Sequence, residues 1–332
     1  MMRMTVLASG SKGNSTVVAS SRTRILLDAG LSCRELLKRM AAAGEDPARL
    51  DAILITHEHQ DHVHGLGVLA RRLRIPVFIT EPTHRAWVRM LTPRTTITYT
   101  QWLEQRKAEQ AGKAEADSSA SLRNDKSVVD ETLIPDLTEA SLESISAEAE
   151  EEDAPAEKAA KTPLTHLPAI EFFRAGSNFS IGDIAISSFT IPHDAADPCG
   201  FVFEAEGIRI GIATDLGYIP TNVKQALRRC DVMMLESNHD LEMLRDGPYP
   251  WAVKQRVMSR VGHLSNNAAA NFLADEYDGG AAYVVLAHLS ESNNLPALAR
   301  VSAEQALAER MNLLGNQLRL AEQSVPLEAI CL

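Results

Sequence analysis

Apolar positions along the chain recur in two modes. Short runs of apolar or alternating residues at 4–8, 16–19, 25–27, 52–56 and 76–79 have the length and β-branched content of strands. Between them, Ser32-Cys33-Arg34-Glu35 has the form of a capping box, which predicts a helix from there to a stop at Gly44, and a second helical pattern covers 65–73. Farther along, strands are predicted at 184–190, 200–204, 208–213, 232–235 and 282–287, with helices at 223–229, 251–261, 266–276 and 298–313. Each half opens on hairpin-like strand pairs and then alternates strand with helix. That order predicts two mixed sheets packed face to face with helices outside, an α/β (α+β) fold in the form of a four-layer αββα sandwich.

The stretch between the halves breaks the pattern. Residues 104–165 contain no Phe, Trp or Tyr and run through Ser-Ser-Ala-Ser and Glu-Ala-Glu-Glu-Glu-Asp. So little apolar area does not offset the entropy of ordering a chain, so this segment reads as a disordered acidic insertion into a single domain formed by 1–103 and 166–332. A solvated tether is one role for it, and an arm for a protein partner the other. It carries −9 of the formal net charge of −11, leaving −2 on the remainder.

Hydrophobic residues make up 45% of the 332, ample for a large core, which excludes disorder throughout. No run approaches the ~18–20 apolar residues of a membrane span, and the start lacks a signal peptide's apolar core; a cytoplasmic location with no membrane contact is the expectation. The four cysteines are far apart, with no Cys-x-x-Cys pair, and read as free thiols.

The densest chemistry is Ile55-Thr56-His57-Glu58-His59-Gln60-Asp61-His62, directly after an apolar run. Four of the ten histidines lie between 57 and 64, too many for a chance polar loop. Neutral nitrogens and an anionic oxygen together suit a borderline divalent cation such as zinc or manganese. Alternation points His57 and His59 the same way, while Asp61 and His62 come after a turn and can face a second ion.

With this motif, His-x-His-x-Asp-His, the chain resembles the metallo-β-lactamase-fold hydrolases, and further pieces follow in that family's order. Asp28, in Leu27-Asp28-Ala29-Gly30, resembles the aspartate that orients a ligand histidine from behind. His193 in Ile191-Pro192-His193-Asp194, Asp215 in Thr214-Asp215-Leu216-Gly217, and His288 after the apolar run ending at Ala287 resemble the remaining ligands. The resemblance implies two divalent metal ions, one on His57, His59 and His193, the other on Asp61, His62 and His288, with Asp215 shared. Two such ions would make the remainder of the chain positive.

An aspartate at 215, where the antibiotic-hydrolysing branch has cysteine, is similar to the phosphodiesterase side. The segments Ala8-Ser9-Gly10-Ser11-Lys12-Gly13-Asn14-Ser15, Asn238-His239-Asp240, Gly247-Pro248-Tyr249-Pro250-Trp251, Gly262-His263-Leu264-Ser265-Asn266 and His288-Leu289-Ser290 with Asn293-Asn294 resemble the YycJ-like or WalJ-like branch, whose members are regarded as DNA exonucleases. The resemblance spans nearly the whole chain except 104–165.

Other residues fit a phosphate substrate. Small residues and glycines around Ser9, Ser11 and Asn14 can turn backbone N–H groups towards an anion, with Lys12 adding charge, although a plain turn between strands has the same composition. Ser265 is a good helix N-cap, which places His263 where a helix start favours an anion. His263 and Glu236 resemble the proton-donating pair of tRNA-processing members of the superfamily; surface or structural roles are the alternative. His239 is a further candidate for phosphate contact, and His64, His84 and His166 read as structural or solvent-facing. The resulting expectation is hydrolysis of nucleic acid from an end, DNA favoured, by a bridging hydroxide positioned by Asp61 and Asp215, with His263 protonating the leaving group. Hydrolysis of a small phosphodiester or thioester, or a non-catalytic metal-binding regulator, are the alternatives.

Overall fold

In the computed structural model the described residues are 1–92, 102, 103, 106, 163–308 and 317–332. Two seven-stranded sheets are built from consecutive parts of the chain. Strands β1 (Arg3–Ala8), β2 (Ser15–Ala19), β3 (Arg24–Leu27), β4 (Ala52–Leu54), β5 (Val77–Thr80) and β6 (Ile170–Phe173) lie in that order in the first. The second runs from β7 (Asn178–Ile181) through β8 (Ile184–Thr190), β9 (Cys199–Ala205), β10 (Ile208–Ala213), β11 (Val232–Glu236) and β12 (Tyr283–Ala287) to β13 (Gln317–Leu320). The last strand, β14 (Ile330–Cys331), returns to the first sheet beside β1. In each sheet the leading strands pair antiparallel and the later ones parallel, the switch falling at β3 and at β10.

The parallel pairs need crossovers, and helices supply most of them. On the first sheet these are α1 (Cys33–Ala42), α2 (Gln60–Val63), α3 (Leu66–Leu73) and α4 (Glu81–Leu91). The second carries α5 (Thr221–Ala226), α6 (Leu241–Asp246), α7 (Trp251–Val257), α8 (Asn266–Asp275) and α9 (Pro296–Leu307). As expected, Ser32 caps α1, its side chain accepting from the Glu35 N–H, and Ser265 caps α8, accepting from the Ala268 N–H.

Strand alternation sorts the side chains into layers. Met4, Val6, Ile25, Leu27 and Leu54 of the first sheet share a buried cluster with Ile186, Phe201, Phe203, Ile212, Met234 and Val285 of the second, the filling between the sheets. Their sequence neighbours point outwards: Leu7, Leu26 and Ile53 meet Leu36, Met40 and Leu69 of the helices, and Met233, Leu235 and Leu286 meet Phe272, Leu273 and Ala303. These three apolar layers separate four layers of secondary structure, which is the predicted αββα sandwich.

Met1–Leu91 and Pro155–Leu332 form one unit. The expected acidic insertion, 104–165, falls almost wholly outside the described residues, as does the predicted helical stretch beyond 308. All four cysteines are free thiols, with Cys33, Cys199 and Cys230 buried and Cys331 exposed. Among the described residues no helix is long and apolar enough to cross a membrane.

Candidate metal centre

The carboxyl ends of strands from both sheets deliver the site. His57 and His59 follow β4, and α2 turns the chain so that Asp61 and His62 face back. His193 follows β8, Asp215 follows β10, Glu236 closes β11 and His288 follows β12. Open α/β sheets concentrate ligand sites at this end because the connecting loops converge there. Backbone hydrogen bonds lock the 57–62 loop to its neighbours: Asn14 N–H donates to Asp61 O at 2.7 Å and Ala29 N–H to His62 O at 2.9 Å. A Cβ on Gly30 would sit 1.7 Å from Asp61 O, so only glycine permits that approach.

Three groups of side chains result. Ligand atoms of His57, His59 and His193 lie within 4.8 Å of one another, as do those of Asp61, His62, Asp215 and His288, and those of Asp215, Glu236, His263 and His288. Every residue expected to ligate is therefore in the first two groups. Asp215 faces both ways in the second group, with Oδ1 3.2 Å from His288 Nε2 and Oδ2 3.4 Å from His62 Nε2. Asp61 Oδ2 is 3.4 Å from His288 Nε2.

The hydrogen bonds on the far side of each ring assign its tautomer. His193 Nδ1 donates to Gly262 O at 3.2 Å, and His59 Nε2 donates to Asp194 O at 3.3 Å. Their other nitrogens, both lone pairs, then face each other 3.2 Å apart. Thr56 Oγ1 gives its single proton to Asp28 Oδ2 at 2.9 Å and accepts from His57 Nδ1 at 3.0 Å, leaving His57 Nε2 bare, buried and without a hydrogen-bond partner. Three converging nitrogen lone pairs repel one another unless a cation lies among them. Tetrahedral sites with ~2.0–2.1 Å bonds separate their ligand atoms by about 3.4 Å, so the spacing fits a divalent ion. Asp215 Oδ2 is likewise buried without a hydrogen-bond partner.

Asp28 lies behind His62 as expected, its Oδ2 2.8 Å from Nδ1, which turns Nε2 towards Asp61 and Asp215. Burial pushes the Asp28 carboxyl up despite His62 and Thr56. Burial also pushes the His62 and His288 imidazoles down, but the carboxylates around them, Asp215 foremost, hold both well above the usual histidine range. Burial works against the charged Asp61 and Asp215 too, yet the neighbouring imidazoles keep both well below the usual carboxylate range. His57, deeply buried and next to His62, is held well below its usual range.

Beside these groups, His263 Nδ1 is 2.7 Å from Glu236 Oε1. Glu236 is fully buried and His263 retains 23% side-chain exposure, so the carboxylate backs a ring that is open to solvent. Burial raises the Glu236 carboxyl, but His263 and His288 outweigh it and carry it down to about 2. Burial lowers the His263 imidazole and the Glu236 charge more than reverses that, leaving it raised.

The other expected contacts divide. Ser11 and Lys12 are exposed, and Lys12 Nζ pairs with Glu291 at 2.6 Å. Asn14 is buried, with Nδ2 3.1 Å from Asp61 Oδ2 and 3.0 Å from His62 Nε2. Ser9 is buried too, and its hydroxyl accepts the His288 N–H at 2.8 Å. His239 is buried, its Nδ1 has no hydrogen-bond partner, and burial lowers its imidazole to about 4. Ser265 caps α8. His84 packs against Trp87 and Phe172, and His166 is exposed. Two residues had no expected role and have one here: Thr56, which ties Asp28 to both His57 and His62, and Asn238, whose Nδ2 donates to His288 O at 2.8 Å. Thr56 has no sequence signal beyond a polar residue after an apolar strand, and Asn238 has in addition only its place in the Asn238-His239-Asp240 resemblance.

Residues 8–119 match the Metallo-beta-lactamase superfamily and residues 131–289 the Beta-lactamase superfamily domain. The chain is 30% identical over 309 residues to Exodeoxyribonuclease YycJ of Bacillus anthracis, covering 93% of this chain and 90% of that one. It is 29% identical over 307 residues to Exodeoxyribonuclease WalJ of Streptococcus pneumoniae, covering 92% and 88%. Among solved structures, the metallo-beta-lactamase fold protein YhfI of Bacillus subtilis superposes with a TM-score of 0.59 at 14% identity, over 98% of each chain. With its His/Asp clusters on this sandwich and that similarity along nearly its whole length, the chain belongs to the metallo-beta-lactamase superfamily of metal-dependent hydrolases, in the branch that includes YycJ and WalJ.

Proposed function

We propose that this protein is a binuclear phosphodiesterase that shortens nucleic acid strands from an end, DNA in the first instance, with zinc or manganese as its ions. The reading takes 1–103 and 166–332 as one hydrolase domain with the acidic segment 104–165 inserted. The observation that carries it is the Glu236–His263 pair set against Asp215, with His263 Nδ1 2.7 Å from Glu236 Oε1 and 3.9 Å from Asp215 Oδ1. A phosphodiester differs from an easier ester in needing a proton for its leaving alkoxide, and a buried carboxylate behind a half-open imidazole is suited to deliver one.

His57, His59 and His193 would hold one ion and Asp61, His62 and His288 the other, with Asp215 shared. Divalent ions, when bound, acidify a water and neutralise the charge that builds on the phosphoryl oxygens. Asp61 and Asp215 orient the attacking water, and His263 gives its proton to the departing oxygen. Glu236 holds the ring in place and favours its protonated form before transfer. Ser11, exposed on the loop after β1, is open to the strand's phosphates, and Lys12 beside it would meet them by exchanging its Glu291 partner for a phosphate. DNA is favoured because the two relatives that cover most of this chain are named exodeoxyribonucleases.

The test is release of nucleotides from end-labelled single-stranded DNA and RNA with Mn or Zn present and after chelation. Stepwise loss of label from DNA that stops on chelation is expected. No release from either polymer, with a small phosphodiester or thioester hydrolysed instead, would overturn the nucleic acid reading.

A further inference from the structure

On the loops that follow Asp215 and precede His263, the guanidinium of Arg260 lies over the ring of Tyr218, 4.2 Å from its centroid. Both side chains are exposed, Tyr218 by 37%. Among the described residues Arg260 makes no ion pair, so the ring is its only partner there. The folding of the chain explains why the two meet. Gly217 approaches the turn between α7 and α8 so closely that a Cβ on it would lie 2.4 Å from the Arg260 backbone, and its N–H donates to Pro192 O at 3.0 Å. From the other side, Gly262 O accepts from His193, and the Asp194 N–H donates to Val261 O at 3.1 Å. Glu236 Oε2 joins the two segments, accepting the N–H groups of Leu216 at 2.8 Å and Leu264 at 3.2 Å.

The stacked pair is thus mounted on the two loops that carry Asp215 and His263, three residues from each. Three residues of chain reach at most about 10–11 Å, or roughly three stacked nucleotides at ~3.4 Å each. A planar cation on an aromatic ring, exposed beside a phosphodiester site, presents a flat face and a positive charge together. That combination matches a nucleobase with its adjoining phosphate, whereas an apolar protein surface would leave the arginine's charge unanswered.

We propose that Tyr218 and Arg260 form the platform on which one base of the substrate strand stacks, so that the strand's register at the site is set by a base two or three nucleotides from the reacting phosphorus. This rests on the nucleic acid reading above. Stacking on a π face tolerates every base, so the platform would fix position without imposing sequence preference.

The experiment is a cycle between the protein and the substrate. Strands carrying a single abasic residue, moved one position at a time from the cleaved end, are given to the wild type, Tyr218→Ala and Tyr218→Phe. In the wild type one abasic position should raise KM by about tenfold. Tyr218→Ala should raise KM on the intact strand by a similar factor and become indifferent to that position, and Tyr218→Phe, which keeps the ring, should behave as the wild type. Unchanged sensitivity to the abasic position in Tyr218→Ala, or an unchanged KM on the intact strand, would overturn the platform while leaving the nuclease reading intact. A wild type that releases nothing from any strand would overturn that reading, and the platform with it.

Discussion

Asp28, Asp215 and His288 all hold left-handed backbone conformations, with φ of 60°, 61° and 55°, each just beyond the end of a strand. Such angles are uncommon for residues with a Cβ and least costly for aspartate and asparagine, so the surrounding structure must impose them. At His288 the restraints are visible: its N–H donates to Ser9 Oγ at 2.8 Å and its carbonyl accepts from Asn238 Nδ2 at 2.8 Å. Asp28 plays the corresponding part for His62, and its removal frees a ring that otherwise points Nε2 at Asp61 and Asp215. Asp28→Ala is therefore expected to weaken metal binding at that site by about 10- to 100-fold, and to weaken it less at His57, His59 and His193, which Asp28 reaches only through Thr56, read by metal titration. Equal affinity at both sites in the variant would show that His62 needs no such restraint. The cluster was legible in the sequence because imidazoles and carboxylates at such density seldom serve anything but a cation. Thr56 and Asn238 were not, since a threonine or asparagine after an apolar strand is commonplace and its partners are distant in the chain.

The elements that the pattern predicted are those with a strong period: β8 and β10 have their predicted bounds, and α1 and α8 begin at serine caps. The predicted helix over 251–261 ends instead at Val257, where the chain turns to bring His263 to the cluster. The strands left unpredicted are edge strands. β6, β7 and β13 each expose half or more of their residues partly or wholly, and β14 has two residues, so none of the four shows a buried face to read. α4 opens on Glu81-Pro82, a start signal that the proline obscured although the first turn of a helix accepts one. One link between elements has a measurable pH signature. In the turn between β7 and β8, Asp183 accepts from Ser20 Oγ at 2.7 Å, Thr23 Oγ1 at 2.6 Å and Arg22 Nε at 3.2 Å, fastening the turn between β2 and β3 to the opposite sheet. Hydrogen bonds from Thr23 and Ser20 lower its carboxyl to about 2 from 3.8. A depressed carboxylate stabilises the fold fully above its unfolded pKa, and that contribution is lost as pH falls through the folded one. Asp183→Asn should thus be less stable than the wild type at pH 7 by a margin that holds down to about pH 4 and narrows from there to about 2. Urea unfolding of both across that window measures it, and a margin unchanged at low pH would contradict the account.

At the scale of the molecule, one fact joins fold to function: the two sheets turn their carboxyl ends the same way, and the site is assembled from both. His57, His59, Asp61 and His62 come from the first sheet's loops, and His193, Asp215, Glu236, His263 and His288 from the second's. The layer order was legible because strand alternation and helix periodicity sort side chains without reference to distant contacts. The pairing of particular residues across the sheets, such as His59 with His193, was legible only through resemblance, because no local pattern encodes it. Charge agrees with the proposed substrate, since outside 104–165 the chain carries only −2 and two divalent ions would turn that positive. The central claim is a phosphodiesterase that requires both metal positions, and Asp61 belongs to one of them alone. The measurement is metal content per chain and nucleotide release from end-labelled single-stranded DNA, made on the same preparations of wild type and Asp61→Ala. The account predicts two ions in the wild type, one in a folded Asp61→Ala, and at least a hundredfold loss of turnover in the variant. Wild-type turnover in an Asp61→Ala protein shown to hold one ion would contradict it.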